Sequence, residues 1–185
     1  MKSNKQKKRL LGWSQEKENL TKQILTRFRF IIGFVIFGLI VSGITAFPLL
    51  SEMNFLASIL TGGASDLNPA NHTGLTVWIL KVREGLEVTY STYPFIAYGT
   101  DWLAFGHIVI AMFFILPYRD PVRYRGVLHV GIAASIMVIP LALICGPIRG
   151  IPFYWQLIDC SFGIICIIPL LYAIRLSRRI EQKNG

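Results

Sequence analysis

Phe30–Leu50, FIIGFVIFGLIVSGITAFPLL, carries no charged side chain. At a helical rise of ~1.5 Å per residue it is long enough to cross the ~30 Å hydrocarbon core of a bilayer. It is too long for the apolar region of a signal peptide, and its end lacks a good small-x-small pattern, so it reads as an uncleaved anchor. Gly33, Gly38 and Gly43 recur at intervals of five, which is not GxxxG, yet such small residues let a neighbouring helix approach. Three more apolar runs follow, Thr100–Leu116, Val127–Cys145 and Ile158–Leu176. The expected fold is all-α: a four-transmembrane-helix bundle with an extra amphipathic surface helix on each side of the membrane.

Composition agrees. Of the 185 residues, 53% are hydrophobic and 16% charged, less charge than a soluble domain of this length carries. The net charge is +9, but its placement is more telling. Sixteen of the 19 Lys and Arg precede the first run, join the second to the third, or follow the fourth. The remaining connections hold only Lys81, Arg83 and Arg149, against Glu52, Asp66, Glu84, Glu87, Asp101 and Asp159. Basic loops stay in the cytoplasm, so both termini are expected inside. The same asymmetry explains the basic composition without nucleic acid, and it makes anionic lipid at the inner leaflet the expected partner.

The spans divide the chain into a basic head (1–29), a membrane domain (30–176) and a basic tail (177–185). Within the head, Trp13, Leu20, Ile24 and Phe28 recur at helical spacing, which predicts an amphipathic helix on the inner leaflet after a solvated Met1–Lys8. The outer connection, 51–99, opens with the loop-like stretch Thr61–Gly74. Leu75, Trp78, Ile79, Val82 and Leu86 then share one helical face over Leu75–Tyr90, too charged to span and so an outer surface helix. Tyr90, Tyr93 and Tyr98 fit the outer interface. Pro140 and Pro169 lie inside the third and fourth spans as kinks. Cys145, Cys160 and Cys166 form no disulfide framework and read as small packing residues, although a Cys145–Cys160 bridge is conceivable near the outer ends of adjacent spans.

The runs YGTDWLAFGH (Tyr98–His107), RDPVR (Arg119–Arg123) and GPIRGIPFYWQLIDCSFG (Gly146–Gly163) resemble those of small uncharacterised bacterial integral membrane proteins. The resemblance covers the last three spans and their connections. It implies a bacterial cytoplasmic membrane and implies no chemistry.

Three constellations are candidates for function. Topology sets Asp101, Arg149 and Asp159 at the outer ends of spans, with Trp102, Tyr154 and Trp155 beside them. Such a cluster suits a proton, an ion or an anionic head group, whereas two helix N-caps and a loop-pinning salt bridge would explain the same residues structurally. His107, inside a span, is an intramembrane ionisable group and joins that site as a hypothesis. A haem on His107 and His129 is not expected. His107 stands about 15 Å above the inner end and His129 about 3 Å, whereas axial ligands need matching depth. Arg119, Arg123 and Arg125, around the inner turn, are the candidate lipid-phosphate contacts, although topology-setting arginines on a proline turn are the simpler account of them. Metallopeptidase, nucleophile-elbow, P-loop and metal-ligand motifs are absent, as is an internal repeat, so neither catalysis nor a bound metal is expected. The expected role is an interaction or accessory protein, alone in the bilayer as a homo-oligomer or with other membrane subunits. The alternatives are a small transporter or proton-conducting unit and, behind it, a haem-bearing redox subunit.

Overall fold

Lys2–Ala46 is one uninterrupted helix, α1, so the head and the first apolar run are continuous. The computed structural model describes the backbone of residues 2–63 and 66–184, and their side chains apart from residues 2–11, 14 and 184. The tail expected over Met1–Lys8 is helical from Lys2, in keeping with its run of Lys, Gln and Arg, all good helix formers. Met1, the basic side chains of the first eleven residues, Ala64 and Ser65 of the outer loop, and Gly185 lie outside the described residues.

Five helices follow: α2 (Leu49–Leu60), α3 (Gly74–Thr92), α4 (Ala97–Arg119), α5 (Arg125–Ile148) and α6 (Phe153–Asn184). Short 3-10 turns at Pro69–Asn71 and Pro94–Ile96 precede α3 and α4. Four of these helices, α1, α4, α5 and α6, are long and apolar enough to cross a membrane. Only 11–28% of the most apolar window of each is buried within the chain. Apolar surface of that extent requires a non-aqueous surround, so the chain is an integral membrane protein by its helix composition.

Several boundaries differ from the sequence expectation. The first helix stops at Ala46 rather than Leu50, because Pro48 cannot donate to the ladder and instead heads α2, accepting the Glu52 N–H at 3.0 Å. Helix α2 lies within what the sequence presents as a connection. The second span begins at Ala97 and continues through Pro117 to Arg119, and the fourth runs unbroken into the basic tail.

The chain divides into two compact units. One comprises α1 up to Phe37 and everything from Met112 onward; the other is Gly38–Ala111. In the first unit the core is formed by Phe28 and Ile32 of α1, Phe114 of α4, Leu128 of α5, and Leu170, Ala173, Leu176 and Ile180 of α6. Helices α5 and α6 pack closely because small residues face each other. A Cβ on Gly163 would stand 2.5 Å from the Ser135 carbonyl oxygen, and one on Gly131 would stand 3.1 Å from Leu170 Cδ1 of α6 and 2.8 Å from Phe114 Cζ of α4.

In the second unit α2 packs on α3 through Met53, Ala57, Ile79 and Leu80, all buried. Arg83 Nε donates to Asn54 Oδ1 at 2.6 Å, and its guanidinium pairs with Glu87 at 3.1 Å, one turn further on. Thr100 Oγ1 donates its only proton to the Ala97 carbonyl at 2.7 Å, so Tyr90 is the donor in the 3.2 Å contact that ties α3 to α4. Gly43 closes on α4 opposite the buried Ala104. A Cβ there would meet the Ala104 carbonyl and Ile108 at 2.9 Å each.

Candidate functional site

The stretch 146–157, which the sequence presents as one shaped loop, is mostly helix. Helix α5 runs to Ile148 and α6 starts at Phe153, leaving Arg149–Pro152 as the connection. Gly150 has φ +68°, a left-handed conformation natural only to glycine. It places its N–H on the Pro147 carbonyl (3.1 Å) and the Ile151 N–H on the Gly146 carbonyl (2.9 Å), the paired bonds of a Schellman termination. Pro152 then heads α6 by accepting the N–H groups of Trp155 and Gln156. Gln156, 4% exposed, lies against Gly146 and donates Nε2–H to the Ile151 carbonyl at 2.8 Å. Each N–H of the connection is hydrogen-bonded, and the two helices form a hairpin.

This geometry changes the reading of the two aspartates. Helix α4 begins at Ala97 and α6 at Phe153, and neither has an acidic residue in its first turn. Asp101 and Asp159 are therefore interior helix residues rather than N-caps, both half-buried. The ion pairs among the described residues of the first unit are Lys22–Glu18 and Arg125–Glu181, so Arg149 and Asp159 do not bridge each other. Arg149 is instead an exposed C-cap whose N–H bonds the Cys145 and Gly146 carbonyls.

Of the residues nominated from sequence, Arg149, Trp155 and Asp159 belong to the first unit, and Asp101, Trp102 and His107 to the second. Trp102 is exposed and makes edge-to-face contacts with Tyr98 and Phe105, each at 6.0 Å. His107 Nδ1 lies 2.8 Å from the Leu103 carbonyl, which can only accept, so a neutral ring carries its proton there and presents Nε2 as an acceptor. The ring therefore bonds within its own helix. His129 does likewise with the Arg125 carbonyl at 3.1 Å. Cys145, Cys160 and Cys166 are free thiols.

The turn between α4 and α5, expected from sequence to be on the inner side, contains the most developed polar arrangement. Asp120 Oδ1 accepts the N–H groups of Val122 (3.2 Å) and Arg123 (3.0 Å), shaping the turn between α4 and α5. Ser177 of α6 is fully buried; it donates to the Pro121 carbonyl at 2.6 Å and accepts from Arg125 Nε at 2.7 Å. The Arg125 guanidinium also pairs with Glu181 at 2.8 Å. Arg125 is thereby committed to joining α5, α6 and the turn, whereas Arg119 and Arg123 remain exposed, the latter with its guanidinium 5.5 Å from the Tyr124 ring centre. Ser177 and Gln156 escaped sequence reasoning because each is one polar residue in or beside an apolar run, with no spacing to mark it.

On the outer connection, Asp66 organises the loop before α3. Its carboxylate accepts the Asn68 N–H (3.0 Å) and the Asn71 side-chain amide (2.8 Å), and these bonds hold its pKa below the ordinary carboxylate value. His72 Nε2–H caps the same loop on the Asp66 carbonyl at 3.0 Å. Among the described residues no group of three His, Cys, Asp or Glu side chains is disposed to hold a metal ion. No model of a known protein family, no curated protein and no solved structure matches the chain.

Proposed function

We propose that the protein is a four-span component of the bacterial cytoplasmic membrane, with both termini inside, that acts through contact with lipid and partner spans. In this reading the first part of α1, continuous with the span and not a separate helix on the leaflet, extends past the inner face, where Trp13 and Leu20 are exposed while Ile24 and Phe28 pack inward. Helices α2 and α3 occupy the outer interface, and Arg119 and Arg123 meet lipid phosphate. The observation that carries it concerns the buried polar side chains. Those among the described residues, Gln156 and Ser177, both donate to backbone carbonyls at connections between helices and so serve the fold. No haem is part of this reading, and a Soret band in the purified protein would overturn that point. The main test is purification from native membranes in mild detergent. A reproducible co-purifying membrane protein or a homo-oligomer is expected, and a consistently solitary monomer would sink the accessory role.

One observation supports a second reading, a small proton- or ion-conducting unit. Asp101 and Asp159 lose their capping explanation, and an ionisable residue inside a membrane helix is a functional candidate by default. Flux in proteoliposomes would decide it. Unchanged flux in Asp101→Asn, Asp159→Asn and His107→Ala would exclude these residues as the pathway.

A further inference from the structure

At the basic end of the first unit, most acidic groups already have partners. Glu18 pairs with Lys22 at 2.7 Å, Glu181 with Arg125 at 2.8 Å, and Asp120 Oδ1 takes two backbone N–H groups. The guanidiniums of Arg29, Arg119 and Arg123 form no ion pair among the described residues of this unit. Arg29 is nonetheless held in place. It is the last charged residue before the uncharged stretch of α1, and its Cζ stands 5.8 Å from the ring centre of Tyr118 on α4. Gly33, one turn further along α1, lies beside that ring: a Cβ there would be in ordinary contact, 3.8 Å from Tyr118 Cε2. An arginine stacked on a ring engages the aromatic through its face and keeps its in-plane N–H fork for a phosphate. A groove of about 540 Å³ opens between α1, α6 and the turn after α4; Leu25, Val122 and Ile180 line it with Arg119, and its two carboxylates, Asp120 and Glu181, already accept the bonds given above. Leu25 lies one helical turn from Arg29, on the side of α1 that leads away from the apolar run.

We infer that Arg29, stacked on Tyr118, forms with Arg119 a binding site for the phosphodiester of an acidic phospholipid, whose polar head enters the groove while its acyl chains follow α1 into the bilayer. Unpaired, pre-positioned positive charge at the end of an apolar helix is complementary to an acidic headgroup, and the stack lowers the entropy lost when the guanidinium is fixed. The inference rests on the membrane reading above but not on which side of the membrane this end occupies.

The test is a lipid titration of the detergent-purified full chain, read as thermal stabilisation. Phosphatidylglycerol is expected to stabilise it and phosphatidylcholine to have little effect. Arg29→Gln and Arg119→Gln should each weaken the apparent affinity for phosphatidylglycerol about fivefold, the loss associated with one interfacial cation. Tyr118→Leu should weaken it, Tyr118→Phe should not, and Arg178→Gln, an exposed arginine away from the groove lining, should change it by less than twofold. Equal losses at Arg29 and Arg178 would reduce the effect to general surface charge and overturn the site. Equal stabilisation by phosphatidylcholine, or by inorganic phosphate alone, would overturn the acidic lipid as its ligand. Because detergent removes orientation, a C-terminal reporter found outside would refute the topology and leave this result standing.

Discussion

Ser177 illustrates what a single residue does at the inner turn. Its hydroxyl faces two groups that have few alternatives, the Pro121 carbonyl and the Arg125 Nε–H, and it is fully buried between them. Ser177→Ala leaves a buried carbonyl and a charged donor without this partner, at an expected cost of about 1–3 kcal/mol. Denaturant unfolding in detergent would measure this, and an unchanged midpoint would show that the network is not supporting the turn. Asp66 makes a second prediction. Its folded pKa is lowered, chiefly by the Asn68 N–H and then by Asn71, so its contribution to loop order is present above the ordinary carboxylate pKa. That contribution is lost as pH falls through the lower folded value. Amide exchange at Asn68 and Ala70 should accelerate across that acidic window and lose its pH-dependent step in Asp66→Asn. Neither residue's role is legible in the sequence. Hydrogen-bond partners 52 and 56 positions away leave no local pattern in the case of Ser177, and Asp66 reads only as part of a loop.

At the scale of the element, the α5–α6 hairpin shows why loop-like letters are ambiguous. Gly146 and Gly150 both lie within two residues of a proline, but for different reasons. Gly150 adopts φ +68° and ends the helix, whereas Gly146 is buried inside α5, where Gln156 occupies the space of a side chain. The location of the turn was legible from Gly150 and Pro152, and its length was not, because a packing glycine and a terminating glycine look alike. The same ambiguity displaced Asp159 from helix start to helix interior. Gly163 offers the corresponding test of packing. Its Cβ would meet backbone, the Ser135 carbonyl at 2.5 Å, so the helices themselves must separate. Gly163→Ala should cost about 1–3 kcal/mol by overpacking. Gly126→Ala, in the same hairpin but with nothing within 4 Å of the added Cβ, should be neutral or stabilising by up to ~1 kcal/mol through helix propensity. Unfolding midpoints of the two variants should therefore move in different directions or by clearly different amounts. Similar losses at both sites would show that α5 and α6 are not held at this distance.

For the whole molecule, charge and hydrophobicity speak most plainly, because they are summed over many residues. The four long apolar helices were legible for that reason, and so was α3, whose period survives in Ile79 and the half-buried Trp78. The division into two units was not, since both α1 and α4 continue across the boundary and helical continuity masks a change of packing partners. The orientation proposed for the chain rests on the largest sum of all. Sixteen of the 19 basic residues flank one set of span ends, and the connections at the other set carry more acid than base. Translocating Lys and Arg is opposed while acidic residues matter little, so short basic connections such as Arg119–Arg125 weigh heavily. Fluorescent-protein fusions at the C-terminus should therefore fluoresce, and alkaline phosphatase inserted at the exposed Gly62–Gly63 turn should be active. The opposite pair of results would invert every inner and outer assignment. Active phosphatase at both positions would instead mean that α4, α5 and α6, the helices between the two reporters, cross an even number of times, so that one of these three, and not α1, fails to span and needs a partner rather than lipid to cover its apolar surface.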